Sequence, residues 1–253
     1  MPRGSPLSRR EPGYVPPPEL EIHIVSLDEL IGGSRPSTAA GNQMDLFGGD
    51  DSGGDDSRGM HLWCAGDLSL MRHGRVAVVG TRTPTSGGVT RARRLARELG
   101  QAGVVVVSGL ARGVDTEALA AALKSRGRVI GVIGTPLDKA YPAENKRLQE
   151  RIYGEHLLIS QFPPGQRVHQ GNFPTRNRLM AALSDATAII EAGDNSGTLH
   201  QAAECVRLGR RLFIARSIVE DPDLKWPAAF LGQRHVSVLT STDDILKIFG
   251  APC

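Results

Sequence analysis

Two arginines occupy an unusual place in the segment NFPTRNRLMAAL, residues 172–183. A Thr that follows a Pro is a common helix cap, so Thr175 predicts a helix that begins just before Arg176. Arg176 and Arg178 would then lie in the first turn, where unpaired N–H groups and the macrodipole already make the surroundings positive. Cations are slightly unfavourable there, so the pair indicates either a bound anion or neighbouring carboxylates. Candidates for such carboxylates are Asp115, Asp138 and Glu191.

Short apolar runs predict the strands that would position these arginines. They recur about 25 to 30 residues apart, the length of a strand plus a crossover helix. The runs cover residues 75–80, 103–109, 128–134, 156–160, 186–192 and 211–215. Residues 92–99 and 199–206 between them show the i, i+3, i+4, i+7 spacing of a helix. Strands that are apolar throughout fit a sheet covered on both faces, so we predict an α/β fold with a doubly wound, mostly parallel sheet.

The loops after these strands are the expected ligand surface, because doubly wound sheets bind ligands outside the carboxyl ends of their strands. Glycines that allow close backbone approach are Gly80, Gly109, Gly113, Gly134 and Gly197. Cations in the same loops are Arg82, Arg112, Lys139, Arg176 and Arg178. Helices expected to begin near Ser86, Gly113 and Gly197 would add N–H donors for an oxyanion. The composition of these loops favours phosphate.

Several common phosphate sites are absent from the sequence. The turn GTRTPTSGG lacks G-x-G-x-x-G spacing, and Ser108, not an acidic residue, ends the second run, which argues against a dinucleotide. No G-x-x-x-x-G-K-[ST] motif is present, which argues against a nucleoside triphosphatase. The loops also offer no Ser/His/Asp set and no His/Cys metal cluster. We therefore expect no catalytic residue, no metal and no cofactor.

Composition divides the 253-residue chain into two regions. Residues 1–60 are rich in Pro, Gly, Ser and Asp, and carry 5 Lys and Arg against 10 Asp and Glu, a net charge of −5. The remaining residues carry a net charge of +8. We predict a disordered acidic tail over residues 1–60, with a short strand and helix in ELEIHIVSLDELI, and one domain over residues 61–250. The basic domain favours an anionic partner.

Cysteine usage and hydropathy predict a cytoplasmic protein. Cys64, Cys205 and Cys253 form no CxxC pair and no zinc-binding spacing, a pattern that a reducing cytosol permits. We expect them to be thiols without chemistry. The sequence has no apolar run of membrane-spanning length and no signal-peptide core, so no membrane association is expected.

Five segments together resemble the DNA processing protein A (DprA, or Smf) family. They are VAVVGTR, VVSGLARGVD, GVIGTPLDKAYPAEN, FPTRNRLMAALS and SGT, within about residues 62–215. The resemblance implies an extended Rossmann-like protein, usually a homodimer, that binds single-stranded DNA without hydrolysing it. It also implies that the DNA is handed to the recombinase RecA during natural transformation. In that case Arg176 and Arg178 would bind phosphate.

The resemblance also implies a DNA site. Arginines there would bind phosphate in bidentate fashion, Gly and Ser N–H groups would complete the anion site, and Phe173 or Tyr141 would stack on a base. Because only 4% of the chain is aromatic, electrostatics should dominate binding. The predicted DNA- and phosphate-binding residues are Gly80, Thr81, Arg82, Ser108, Gly109, Arg112, Gly113, Lys139, Asn145, Phe173, Arg176, Asn177, Arg178, Ser196, Gly197 and Thr198.

The sequence departs from the family pattern after residue 215, where RSIVEDPDLKWPAAF replaces the usual segment, and the family's flanking helical and winged-helix modules are not expected. A second interpretation of the function stays open. NSGTLHQAAE resembles the GGxGTxxE loop of LOG-type nucleotide phosphoribohydrolases, which suggests a nucleotide-binding sensor or such an enzyme. Gln201 stands where the catalytic Glu would be and cannot act as a base, although Glu204 follows one turn later.

The predicted tail contains one apolar peptide, QMDLF, residues 43–47. It resembles the pentapeptide with which bacterial proteins dock on the replication sliding clamp. Gln43, Leu46 and Phe47 would make that contact, displayed on a flexible tether. The alternatives are a chance match and a segment that folds back onto the domain.

Overall fold

The computed structural model describes residues 21–32 and 60–250. The strands are β1 (Ile22–Ser26), β2 (His61–Gly66), β3 (Arg75–Val79), β4 (Val105–Ser108), β5 (Val129–Ile133), β6 (Leu157–Ser160), β7 (Ala186–Ile189), β8 (Arg211–Ala215) and β9 (Val236–Leu239). The helices are α1 (Leu27–Ile31), α2 (Ser86–Gln101), α3 (Val114–Lys124), α4 (Lys146–Glu155), α5 (Asn172–Leu183), α6 (Thr198–Arg207), α7 (Arg216–Val219), α8 (Trp226–Phe230) and α9 (Asp243–Leu246). Short 3-10 turns cover Leu68–Arg72, Ala143–Asn145 and Lys247–Phe249.

The described strands form one sheet in the order β1-β2-β6-β5-β4-β3-β7-β8-β9. Strands β3 to β9 are parallel, whereas β1–β2 and β2–β6 are antiparallel pairs. Each predicted apolar run contains one of the parallel strands, so the predicted fold class is confirmed. The strand order reverses at β3, which lies between β4 and β7, and this is the point where doubly wound folds usually bind ligands.

Both faces of the sheet are covered, as the apolar strands required. In β3, Val76 and Val78 join one buried cluster, while Ala77 and Val79 join the other. The first cluster includes residues of α2, α3 and α4, and the second includes residues of α5 and α6. All five residues of β3 are buried. This central strand therefore holds the loop after it in a fixed place.

Helix α5 begins earlier than predicted. Its first residue is Asn172, and Thr175 is inside the helix, where its Oγ1 donates to the Gly171 carbonyl at 2.9 Å. Pro174 fits the first turn because a residue there needs no N–H partner within the helix. The prediction that Thr175 caps the helix was wrong. Arg176 and Arg178 lie beyond the first turn, so the helix dipole opposes them less than expected.

Residues 21–32 belong to the fold, which corrects the predicted boundary at residue 60. Strand β1 pairs along β2, with Ile24 opposite Trp63. In α1, the Ser26 side chain accepts from the Glu29 N–H at 3.2 Å, and the Glu29 carboxylate accepts from the Ser26 N–H at 2.8 Å. The strand and helix predicted in ELEIHIVSLDELI are thus confirmed. Strand β9, which has four residues and is only partly buried, was not predicted from the sequence.

Two cysteines are buried, and burial raises the pKa of both the Cys64 and the Cys205 thiol to about 12. Both side chains pack in the same buried cluster. Within the described ranges no helix is long and apolar enough to cross a membrane. In the same ranges no group of three His, Cys, Asp or Glu side chains is placed to hold a metal ion.

Candidate functional site

Three loops interlock at the carboxyl edge of the sheet. Gly113 has φ +76°, and a Cβ there would lie 2.7 Å from the carbonyl carbon of Arg82. A Cβ on Gly80 would lie 2.7 Å from the carbonyl oxygen of Glu191. That oxygen accepts from the Thr81 N–H at 2.7 Å. The glycines are therefore needed for close backbone contact between the loops after β3, β4 and β7, and this contact fixes the position of Arg82.

A pair of rings lies on this edge, Tyr141 exposed and Phe173 half-buried, and we call the two the aromatic platform. The ring centroids are 5.2 Å apart, and Tyr141 is 52% exposed. Phe173 packs over Gly134, where a Cβ would lie 2.8 Å from the ring. The Arg82 guanidinium carbon is 5.7 Å from the centre of the Phe173 ring. The platform thus combines an accessible ring with a neighbouring cation, the combination that suits a nucleobase and its phosphate.

Three further cations differ in how they are held. Lys139 and Arg178 are partly exposed, and within residues 21–32 and 60–250 no carboxylate forms an ion pair with either. Arg112 is exposed and pairs with Glu144 through contacts of 2.8 and 2.9 Å. An exposed pair of this kind contributes at most about 1 kcal/mol, so a phosphate can replace the carboxylate at little cost.

Arg176 lies inside the protein, 4% exposed. Its Nη1 donates to the carbonyls of Gly109 and Val132, the latter at 2.9 Å, and its Nε donates to the Asn177 side chain at 2.9 Å. Burial lowers the pKa of Arg176, and the nearby Asp115 opposes that shift. These bonds revise the expectation of a surface cation, because the Arg176 guanidinium joins the loop after β4 to the end of strand β5. Arg178, two residues later, keeps its side chain partly exposed.

Asp115 lies in the first turn of α3 and braces the same loop. The residue before α3 is Gly113, and Asp115 accepts from the Gly109 N–H at 3.0 Å. Burial raises the pKa of the Asp115 carboxyl above its usual value, and Arg176 acts in the opposite direction. The Gly109 N–H is therefore already bonded within the protein. Ser108 is also buried, with its hydroxyl donating to the Val78 carbonyl at 2.7 Å.

Other predicted site residues connect neighbouring loops. The Asn145 side chain is buried and donates to the Leu110 carbonyl at 2.8 Å. The Asn177 side chain donates to the Gly197 carbonyl at 3.1 Å, and the Thr198 N–H donates to the Ser196 hydroxyl at 3.2 Å. Helix α6 begins at Thr198, beside the exposed Gly197. The predicted set thus divides into an exposed group and a group that holds it in place.

Glu191 has a structural role that was not predicted from the sequence. Its carboxylate accepts from the Thr85 N–H at 2.9 Å and from the Thr85 hydroxyl at 2.8 Å, and pairs with Arg91 at 3.3 Å. Glu191 therefore joins the loop after β7 to the start of α2. It also borders a cleft of about 310 Å³ between β3 and β7. The available signal was an acidic residue directly after an apolar run.

The sequence profile of the DNA recombination-mediator protein A family matches residues 56–250. The chain belongs to this family. DNA processing protein DprA of Bacillus subtilis is 34% identical over 74% of this chain and 63% of its own length. The Synechocystis protein Smf is 38% identical over 70% of this chain and 44% of its own length. The chain thus spans less than two thirds of the length of each of these two family members.

Solved structures of the family have the same fold. DprA of Streptococcus pneumoniae matches with a TM-score of 0.67 and 37% identity, over 74% of this chain and 65% of that one. DprA of Helicobacter pylori matches with a TM-score of 0.70 and 25% identity, over 91% of this chain and 96% of that one. The H. pylori structure was described for its single-stranded DNA binding mode. A molybdenum cofactor binding protein from Rippkaea orientalis shares the fold at a TM-score of 0.52 and 18% identity.

Proposed function

We propose that this member of the family binds single-stranded DNA at the carboxyl edge of its sheet. The aromatic platform carries the proposal, because the exposed Tyr141 ring lies beside the half-buried Phe173 ring, and the Arg82 guanidinium carbon is 5.7 Å from the centre of the Phe173 ring. A base would stack on the platform while Arg82, Lys139 and Arg178 contact the phosphates on either side. The single-stranded DNA binding of the H. pylori relative supports this assignment.

Binding requires a rigid surface, and the buried residues provide it. Arg176 and Asp115 hold the Gly109 loop, while Gly113 holds the Arg82 turn. A phosphate would therefore meet cations that are already in position, which reduces the entropy lost on binding. Electrostatics would still dominate, because the platform contains only two rings.

We propose no catalytic step. The Gln201 side chain is fully buried, with its Nε2 3.4 Å from the Thr187 hydroxyl. Glu204 is 7% exposed, and Arg207 donates to its carboxylate at 2.9 Å. Glycosidic cleavage needs a carboxylate that can reach the reacting sugar, and neither residue meets that requirement in this arrangement.

The first test is a double variant, Arg82→Gln with Arg178→Gln. We expect the affinity for oligothymidylate to fall at least about tenfold, and the slope of log K against log salt to become shallower by about 1.4, since each single-strand phosphate contact contributes about 0.7. Fluorescence anisotropy across a salt series measures both quantities.

The matched control is Arg93→Gln with Arg94→Gln on α2, where the two arginines pair with Glu117 and Glu98. This control removes the same charge from a surface away from the platform, so it should change affinity much less. Equal losses in the two double variants would refute the proposed site.

A nucleotide sensor is the second candidate, and the cleft beside Glu191 favours it. The cleft lies where the strand order reverses, the usual ligand position in this architecture, and Thr81, Thr85 and Ser217 line it with hydroxyls. AMP should compete poorly with oligothymidylate if DNA is the ligand. Tight AMP binding with weak single-strand binding would favour the sensor.

The wider role is a proposal carried by the family resemblance. We propose a cytoplasmic homodimer that protects single-stranded DNA and helps to load RecA in DNA uptake and recombination. We also propose that Gln43, Leu46 and Phe47 dock on the sliding clamp. Those three residues lie outside the described part of the chain. The clamp proposal therefore depends on the QMDLF sequence motif and on the acidic sequence around it.

A further inference from the structure

Four exposed arginines lie at the opposite edge of the sheet, where the parallel strands begin. We call this the amino edge and its members the amino-edge arginines: Arg72, Arg128, Arg211 and Arg234. Arg72 precedes β3, Arg128 precedes β5, Arg211 is the first residue of β8, and Arg234 precedes β9. The proposed function makes no use of them.

Sheet topology places these arginines along one line. The strand order from β5 to β9 contains five spacings, and neighbouring strands are about 4.8 Å apart, so the edge extends about 24 Å. The register places the starts of the strands at one level, because Val76 pairs with Ala186, which in turn pairs with Arg211. The row is long enough to contact several phosphates of one strand.

Carboxylates at this edge are largely occupied by the protein itself. Asp185 accepts from the Arg75 N–H at 2.8 Å and pairs with the Arg75 guanidinium at 3.5 Å. Asp67 accepts from the Ser69 N–H at 2.9 Å. Among the described residues no carboxylate forms an ion pair with an amino-edge arginine, although Arg128 contacts the His73 ring at 3.1 Å. The exposed charge of the edge is therefore mainly positive.

The loops that carry these arginines are held rigidly. Arg75 is 1% exposed, and its guanidinium donates to the carbonyls of Leu183 at 2.7 Å, His73 at 3.1 Å and Met71. It thereby fixes the segment that ends in Arg72. A buried arginine bonded to the loop beneath it resembles the arrangement that Arg176 makes at the carboxyl edge.

A cleft continues the row at β8 and β9. It has a volume of about 280 Å³, and Arg211, Ser237 and Lys247 are among the residues that line it. Asp244 also borders it, but one of its oxygens accepts three hydrogen bonds from Thr240 and Ser241, at 2.7 to 2.9 Å. The other carboxylate oxygen of Asp244 pairs with Lys247 at 3.9 Å. The cleft therefore presents Arg211, which has no ion pair among the described residues, beside a paired lysine and the Ser237 hydroxyl, a combination that suits a phosphate group.

Helix dipoles do not account for the row. Lys124 and Arg207 lie in the last turns of α3 and α6, where a cation stabilises the helix end. Arg126 follows α3 and has the same explanation. The amino-edge arginines are different, because they lie in strand-entry segments and not in the last turn of a long helix.

We propose that the amino edge is a second nucleic-acid-binding surface, which contacts the phosphate backbone of one strand while the carboxyl edge holds another. This inference goes beyond the proposed function, and one protein molecule would then bind two DNA segments. Phosphates fit the row better than an acidic peptide does, because a backbone supplies charge at regular intervals along the full length of the edge.

The test counts short oligonucleotides bound per protomer of the full chain. The probe is oligothymidylate of about ten nucleotides, within the range of known single-strand sites. The amino-edge variant is Arg128→Gln with Arg211→Gln and Arg234→Gln. The carboxyl-edge variant is Arg82→Gln with Arg178→Gln. The control removes three arginines from α2, namely Arg93→Gln, Arg94→Gln and Arg97→Gln. Native mass spectrometry at saturation gives the stoichiometry.

We expect two oligonucleotides per protomer for the wild type and the control, and one for each edge variant. Replacing the same amino-edge residues by lysine should restore the second oligonucleotide, which separates a charge effect from a folding defect. Retention of two oligonucleotides by the amino-edge variant would overturn the inference. If only the carboxyl-edge variant binds fewer oligonucleotides than the wild type, the inference fails and the proposed function stands. If only the amino-edge variant binds fewer oligonucleotides than the wild type, the proposed carboxyl-edge site fails and the amino-edge surface remains.

Discussion

Replacing Arg176 by alanine should lower the free energy of unfolding by about 3–5 kcal/mol. The substitution removes the bonds to the carbonyls of Val132 and Gly109 and leaves the buried Asp115 without its nearby cation. A typical domain has a total stability of about 5–15 kcal/mol, so this loss is large. Urea denaturation followed by circular dichroism measures it. Binding of single-stranded DNA should fall as well, because the loop after β4 loses its bond to the end of strand β5 through Arg176.

Arg178→Ala is the matched control, in the same helix and of the same chemistry. Its side chain is partly exposed and has no ion pair among the described residues, so stability should change by less than about 0.5 kcal/mol. Its DNA affinity should nevertheless fall, because the phosphate contact is lost. If Arg178→Ala destabilised the protein as much as Arg176→Ala, the division between anchoring and contacting arginines would be wrong.

Gly113→Ala should destabilise the protein by about 2–4 kcal/mol, from backbone strain and overpacking together. The residue has φ +76° and ψ −129°, and a Cβ there would lie 2.7 Å from both the Arg82 carbonyl carbon and the Pro84 ring. Relief of this clash would move the Arg82 turn, so DNA affinity should fall along with stability. Thermal melting and anisotropy measure the two effects.

Gly154→Ala is the comparison for that substitution. Gly154 lies in α4, and a Cβ there would have no neighbour within 4 Å. Alanine should stabilise the helix by up to about 1 kcal/mol and leave DNA affinity unchanged. A Gly113→Ala protein as stable as the Gly154→Ala protein would show that the loops after β3 and β4 do not depend on their close contact.

The parallel sheet could be predicted because its strands are apolar throughout. β3 to β8 each stand out from the polar segments around them, and their spacing leaves room for one helix between consecutive strands. The same reasoning located the loops at the carboxyl edge, since every parallel strand ends there. It could not locate β9, which has only four residues and a partly exposed pattern that matches a loop equally well.

The roles of individual polar residues could not be predicted in the same way. Arg176 and Arg178 have the same type and lie two positions apart in one helix, yet one is buried and the other is partly exposed. The rotation of α5 about its own axis decides which of the two side chains is buried. That rotation depends on how α5 packs against β5, which the local sequence does not specify. Ser108 and Asn145 likewise lie at the carboxyl edge, as predicted from the apolar and Pro-rich segments before them. Their side chains, however, point into the protein and donate to backbone carbonyls.

Photochemical cross-linking is the most direct test of the central claim that the carboxyl edge binds single-stranded DNA. Ultraviolet irradiation of the full chain with oligothymidylate, followed by digestion and mass spectrometry, identifies the residues on which bases stack. We predict cross-links at Tyr141 and Phe173. Cross-links confined to other surfaces, with none on the aromatic platform, would contradict the proposed site.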